Sequence, residues 1–303
     1  MSEQRVTIEI ADHVAVVTLS RPDKHNALDG PMFEGILGAT EQLAAAPEVR
    51  AVVLHGAGPS FCSGLDVASL MTGPVSLDDV LAREDGRLAN TVQRTSTDWV
   101  DLPVPVIAAV HGNCFGGGLQ IALGADIRIA APDARLSVME VKWGLVPDMG
   151  ITTTLPRLLR ADVAKELTYT GRIVSGEEAV ALGLVTRVAA DPLAAARELA
   201  AEIAGRSPDA VRAAKRLYDA SWHGPVGDGL VLETELQRSL IGSPNQIEAV
   251  RAGMAKEPAS FADPSPISAS CVMGSPCVEG SRRTVRLLMT PRTPSVSHAS
   301  SQA

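Results

Sequence analysis

Apolar residues along this chain fall into two successive patterns. Up to about residue 190, short β-branched runs alternate with polar segments and helical repeats; beyond Pro192 the helical repeat takes over. Residues 6–10 and 14–19 alternate and are rich in Val, Ile and Thr, which predicts a hairpin turning at Ala11-Asp12-His13. Residues 21–26 form a polar loop. Pro31 then opens a helical stretch with Met32, Ile36, Leu37 and Leu43 on one side. Residues 51–54 and 104–110 are short, largely apolar runs that read as buried strands. Further strands are expected at 126–130 and 184–188, with 136–138 pairing beside the first of these. The helical pattern covers 77–101, 151–159 and 161–169, and Ser175 with Glu178 has the spacing of a capping box. From Pro192 to about Lys256 helices follow one another, broken at 207–208, 224–229 and 242–244.

Strands with crossovers early and helices late predict an α/β core, residues 1–190, followed by a helical region, 191–264. The Ala-rich helices at 193–204 and 209–220 suit packing either against another subunit or within the chain. Aromatics are 3% of the 303 residues against 46% hydrophobic, so the core is built from Ala, Val, Leu and Ile. The net charge of −8 argues against nonspecific nucleic-acid binding, which relies on Lys and Arg. The N-terminus has no basic segment leading into an apolar one, and no apolar run approaches the roughly 20 residues that cross a bilayer. A cytoplasmic protein without membrane partners is the expectation. None of the four cysteines has paired CxxC spacing, so no metal is expected, and Cys62 and Cys114 read as small buried fillers. Residues 265–303 are rich in Ser, Pro, Thr and Arg, and Glu279 is their one acid, a composition that predicts disorder.

Chemistry concentrates around His111-Gly-Asn-Cys-Phe-Gly-Gly-Gly-Leu-Gln120, between the strand at 104–110 and a short helix expected from Ile121. Consecutive glycines leave backbone N–H groups uncovered by any Cβ, and a helix N-terminus adds unpaired donors. Such donors suit a developing oxyanion. A tight turn with close packing is the plainer alternative.

Three further segments lie at strand ends: Lys24-His-Asn-Ala-Leu28, Ser60-Phe-Cys-Ser-Gly-Leu-Asp66 and Val138-Met-Glu-Val-Lys-Trp-Gly-Leu-Val-Pro-Asp148. With the glycine segment, in this order and spacing, they resemble the crotonase superfamily, or enoyl-CoA hydratase/isomerase family, over residues 3–264. The resemblance implies an α/β spiral of ββα units with a helical C-terminal region that mediates trimerisation, as a homotrimer or a dimer of trimers. It implies an acyl-CoA thioester as substrate, coenzyme A being part of that substrate with no separate cofactor. An enolate-like intermediate would be stabilised by the N–H groups of Leu65 and Gly117, each worth on the order of 3 kcal/mol. Lys24 falls in the loop used near the CoA moiety, its alternative being a solvated lysine. Ala27, Ser63, Gly64 and Gly116 fall at substrate-binding positions, as does Asp66, which orders its loop. Trp143 either shapes the acyl pocket or packs in an adjacent loop. His25 and His111 read as structural.

The same resemblance assigns the acid–base positions. Hydratases of the family carry two glutamates; the second falls at Glu140 and the first at Gln120. Glutamine cannot exchange a proton, though it can hold a water. Asp148 lies where dienoyl-CoA isomerases of the family carry an acid, its alternative being an N-cap for the helix at 151–159. Double-bond isomerisation through Glu140 is therefore favoured. Hydration by Glu140 and a Gln120-held water comes second, and a CoA-ester-binding protein with little turnover third.

Overall fold

In the computed structural model the described residues are 4–67, 69, 81–83 and 86–264. Strand β1 (Val6–Ala11) runs antiparallel to β2 (Val14–Leu19) through a two-residue turn in which Asp12 and His13 both have positive φ. That is the hairpin turn whose twist matches the strands it joins. Parallel strands β3 (Ala51–Gly56), β4 (Val106–Val110), β6 (Ile127–Ala130) and β9 (Arg187–Val188) complete a six-stranded sheet in the order β1-β2-β3-β4-β6-β9. A smaller sheet joins β5 (Asn113–Phe115), β7 (Arg135–Ser137) and β8 (Val174–Ser175). Leaving β4, the chain turns at Gly112 and enters β5; leaving β6, it enters β7. These two successive passes thus each give one strand to each sheet.

The large sheet is buried on both faces. Val52, Leu54, Val106 and Ala108 face the main core with Met32, Ile36 and Leu43 of helix α1 (Gly30–Ala44). Ala51, Val53, Ile107, Ala109 and Ile129 face the other way, onto Ala196 and Ala200. Those two alanines, one helical turn apart, let α7 (Pro192–Ala204) lie close on the sheet, so this Ala-rich helix packs within the chain. Double-sided burial explains the unbroken apolar run in β4.

Helix α1 starts where Asp29 accepts the N–H of Met32 at 2.9 Å and Pro31 occupies the first turn. Helix α2 (Thr91–Asp101) starts at a reciprocal Asn90–Gln93 capping box. That cap divides the helix expected over 77–101; residues 82–83 and 86–90 are not helical, and 77–80 lie outside the described residues. Helix α3 (Gly117–Leu123) begins inside the glycine triplet, four residues earlier than expected. The strand at Leu136 pairs with β5 and β8 and not with β6, because the chain has already crossed to the smaller sheet. Of the helix expected over 151–159, only α4 (Ile151–Thr154) is α-helical; it passes into a 3-10 turn, Leu155–Arg157, around Pro156, which has no N–H to extend the ladder.

Helices α5 (Ala161–Thr170) and α6 (Gly176–Leu182) precede β9, with Ser175 capping α6 through the N–H of Glu178. After α7 come α8 (Pro208–Ser221), α9 (Val226–Leu240) and α10 (Pro244–Ala255). Lys215 anchors α8 to the edge of β6 through both carboxylate oxygens of Asp126, at 2.6 and 2.7 Å. The segment after α10 is tied back where Arg50 donates to the carbonyl of Phe261 at 2.9 Å. No helix among the described residues is long and apolar enough to cross a membrane. The expected disorder of 265–303 lies outside the described residues.

One buried side chain fixes how the strand-end loops meet. Asn26, fully buried and in the left-handed region, accepts the N–H of Arg21 at 2.8 Å. Its amide nitrogen approaches the carbonyls of Ala57, Ser60 and Phe61 at 2.9, 2.7 and 3.2 Å. The loop after β2 is thereby stapled to the loop after β3. Asn26→Ala should cost about 1–3 kcal/mol by leaving these groups unpaired. Asn26→Asp should cost at least as much, since a carboxylate would face three carbonyl oxygens. Urea unfolding of both variants checks this.

Candidate active site

The staple at Asn26 leads directly into the site. Two residues on, Leu28 forms a one-residue parallel bridge with Leu65: the N–H of Leu28 donates to the carbonyl of Gly64 at 2.8 Å, and the N–H of Asp66 donates to the carbonyl of Leu28 at 2.9 Å. Backbone groups alternate along an extended strand, so the N–H of Leu65 points away from Leu28. On the other side Cys62 bridges to Cys114, with the N–H of Phe115 donating to the carbonyl of Cys62 at 3.0 Å. Gly116 then donates to the carbonyl of Ser137 and turns the chain with φ 52° and ψ −121°. Gly117 opens α3, where no preceding turn supplies a carbonyl. Among the described residues the N–H groups of Leu65 and Gly117 have no acceptor. They are neighbours: a Cβ placed on Gly64 would lie 3.6 Å from the nitrogen of Gly117.

Each glycine of the triplet makes room for a different group. A Cβ on Gly116 would lie 3.2 Å from Oε1 of Glu140; on Gly117 it would strike Sδ of Met149 and Cδ1 of Leu28; on Gly118 it would strike the backbone and side chain of Cys62. The close-packing and donor readings of this segment are therefore compatible, because the same absence of side chains serves both.

Glu140 heads a 3-10 turn, Glu140–Trp143, and is 9% exposed. Its Oε1 accepts Nε2 of Gln120 at 2.6 Å, and its Oε2 is buried with no partner. Burial pushes its carboxyl above the usual range; its own backbone N–H and then the hydrogen bond from Gln120 oppose this, the negative charge of Asp148 adds to it, and the backbone N–H of Met139 opposes it slightly. Asp148 is open to solvent on one side, yet its carboxyl is also raised, by desolvation. It does not cap α4, whose N-cap is Gly150 with no side-chain bond. Gln120, 1% exposed, spends its Oε1 on the N–H of Met149 at 2.8 Å.

The remaining expected residues sort by environment. Asp66 accepts Nη1 of Arg21 at 2.9 Å and Oγ of Ser69 at 2.7 Å, and the Ser69 bonds, then Arg21, hold its carboxyl below the usual range. It orders the loop that carries Leu65. Ser63 donates its N–H to the carbonyl of His25, and Ala27 is buried with its carbonyl on Arg21. Lys24 is exposed on the 3-10 turn Pro22–Lys24. Trp143 is 65% exposed, so packing within the chain does not account for it. His25 bonds Oγ of Ser60, and His111 donates Nε2 to the carbonyl of Gly58. Cys62 and Cys114 are buried fillers; burial pushes the Cys62 thiol up to about 12 and the Cys114 thiol upward also.

Sequence reasoning passed over Arg21, Asn26 and Met149. Arg21 reaches Asp29, Asp66 and the carbonyl of Ala27, and so ties the start of α1 to the Leu65 loop. The available signal was an Asn in a tight polar turn, a residue type that tolerates positive φ.

Comparison with known proteins shows what the whole chain is similar to. Residues 9–264 match the family model described as enoyl-CoA hydratase/isomerase. The mitochondrial Delta(3,5)-Delta(2,4)-dienoyl-CoA isomerase of Rattus norvegicus is 35% identical over 253 residues, covering 81% of this chain and 77% of the relative. A short-chain-enoyl-CoA hydratase of Clostridium acetobutylicum is 33% identical over 259 residues, 84% of this chain and 97% of the relative. The crystal structure of enoyl-CoA hydratase from Bacillus anthracis superposes with a TM-score of 0.78 at 31% identity, covering 85% of this chain and 99% of that one.

The buried carboxylate of Glu140 has a consequence for stability. A carboxyl raised in the folded state supports folding when protonated and loses that support as pH rises through the folded-state value. Replacing it by a neutral isostere removes the cost at high pH. Glu140→Gln should therefore have a higher Tm than the parent at pH 7–8. The difference should vanish below about pH 4, where the carboxyl is protonated in both folded and unfolded chains. Thermal unfolding across that pH range checks it.

Proposed function

The chain belongs to the enoyl-CoA hydratase/isomerase family, and from that premise we propose that it shifts a double bond along the acyl chain of an enoyl-CoA thioester, with Glu140 as the proton carrier. The observation that carries this reading is the Oε2 of Glu140, a buried carboxylate oxygen without a partner. Its carboxyl, moreover, lies against Gly116, one residue from the free N–H of Gly117. In the proposed reaction the thioester oxygen accepts the N–H groups of Leu65 and Gly117. Glu140 removes a proton from the acyl chain, and the electron pair delocalises onto that oxygen. Return of the proton to a different carbon moves the double bond. The raised carboxyl of Glu140 suits both halves of this cycle: its carboxylate is a stronger base than an ordinary glutamate, and the proton it takes up can be held long enough to be returned to another carbon.

Asp148 is the proposed second proton site for dienoyl substrates, supported by its own raised carboxyl and its charge coupling to Glu140. Lys24, exposed beside the entrance loop, is proposed to meet a phosphate of coenzyme A. Ala27, Ser63, Gly64, Asp66 and Gly116 shape the backbone around the thioester, and the exposed Trp143 borders the acyl entrance. Coenzyme A enters as part of the substrate in a cytoplasmic enzyme. A homotrimer or dimer of trimers through the C-terminal helices is supported by α9, which buries no residue, and by the exposure of Trp222, Val226 and Met254. Hydration is the second reading: Oε2 of Glu140 has room in its hydrogen bonding for a water. Gln120 offers such a water little, because its oxygen and nitrogen are both engaged inside the protein.

Incubation with 2-enoyl, 3-enoyl and dienoyl thioesters in heavy water separates these chemistries. Isomerisation incorporates deuterium and moves the ultraviolet absorbance without adding the mass of water; hydration adds that mass. Glu140→Gln should lower exchange by at least about 100-fold while leaving CoA-ester binding near the parent value. Retained exchange in that variant removes Glu140 from the mechanism. Asp148→Asn should impair turnover of dienoyl substrates more than that of 3-enoyl substrates, and an equal effect on both would deny Asp148 a proton-carrying role.

A further inference from the structure

Gln120 is shielded from solvent, and its amide bridges Glu140 and the residue after Asp148. Nε2 donates to Oε1 of Glu140 at 2.6 Å, and Oε1 accepts the N–H of Met149, the residue after Asp148, at 2.8 Å. The Gln120 backbone is held in turn, its carbonyl accepting Oγ of Ser96 at 2.6 Å. The orientation of the amide is unambiguous, because a backbone N–H can only donate and must face the oxygen. We propose that Gln120 is a positioning residue: a crossbar that pins one oxygen of Glu140, leaves the other to the substrate, and fixes the backbone that carries Asp148. The inference rests on Glu140 being the proton carrier.

A carboxylate cannot replace the crossbar at neutral charge. At position 120 it would accept from Met149, and its second oxygen would face Oε1 of Glu140 across a hydrogen-bond distance. Two carboxylates so placed share one proton and lose it only at higher pH. Asp148, from the same loop as Met149, is the further charged group bearing on Glu140. In this chain Gln120→Glu removes the donor to Oε1 of Glu140, and is thus expected to hold the Glu140 proton to higher pH.

The test measures deuterium exchange into an enoyl-CoA between pH 5 and 9 for the parent, Gln120→Glu and Gln120→Met, with CoA-ester binding measured alongside. Glu140 is also titrated by carbon-13 NMR of labelled glutamate, its signal assigned by its loss in Glu140→Gln. For Gln120→Glu the acid limb of the rate profile, and the Glu140 titration, should move up by at least about one pH unit. The rate should recover toward the parent value at high pH, with binding preserved. Gln120→Met, which has neither bond, should lose about tenfold or more in exchange at every pH while still binding the ester. An unmoved limb and titration in Gln120→Glu overturns the proposal, as does a gain of water addition to 2-enoyl-CoA, which would mean that position 120 faces the substrate. Should Gln120→Glu fail to bind the ester, Gln120→Met decides: exchange within twofold of the parent overturns the crossbar, and the tenfold loss supports it. If the parent exchanges no thioester proton at all, the functional reading fails by itself. The Glu140 titration then still decides whether residue 120 governs that carboxyl.

Discussion

The close packing around Gly116 to Gly118 is the constraint on which the rest depends. Three neighbours occupy the space that side chains would take: the carboxyl of Glu140, the Met149–Leu28 pair, and the strand end at Cys62. Because the glycines yield that space, the loop after β3 can lie beside the first turn of α3. Two N–H groups from separate turns of the spiral then remain without acceptors side by side. The geometry requires rigid support, and it has it. Bridges at Leu28–Leu65 and Cys62–Cys114 extend the strand pairing into the loops, while Asn26 and Arg21 close the remaining gaps with hydrogen bonds.

Such a site is unfavourable locally and is sustained by what surrounds it. An unpartnered oxygen on a buried carboxylate, and backbone donors without acceptors, each carry a desolvation cost. The large sheet, buried on both faces, and the buried Leu119, Ile121, Ala122 and Leu123 of α3 offset it. Where a structure built for stability alone would pair Oε2 of Glu140, this one leaves it without a side-chain partner, and burial raises the proton affinity of the carboxyl. Departures from good packing practice of this kind gather at functional sites. Here one such oxygen lies on Glu140, next to Gly116.

The helical C-terminal region shows the opposite balance. Helix α7 is absorbed into the core through Ala196 and Ala200, whereas α9 leaves Val226, Leu230 and Val231 exposed. Both stretches are helical in sequence and rich in Ala or Leu. What separates them is the sheet face that one of them meets.

Alternation in β1 and β2, the apolar runs of β3 and β4, and the cap at Ser175 were legible from residue order alone, because they rest on local periodicity and on side chains bonding their own backbone. The order and spacing of four strand-end segments likewise identified the family before any coordinates. Sequence could not assign Leu136 to its sheet, since the choice between two sheets depends on where the chain has crossed. Nor could it give the orientation of Gln120, whose partners are 20 and 29 residues away. Local patterning determined which elements exist and which residue types the site contains. Tertiary structure alone decided which donors lack acceptors, which carboxylate oxygen stays free, and which polar side chains are consumed in holding the others, because each of these is a property of groups brought together from distant parts of the chain.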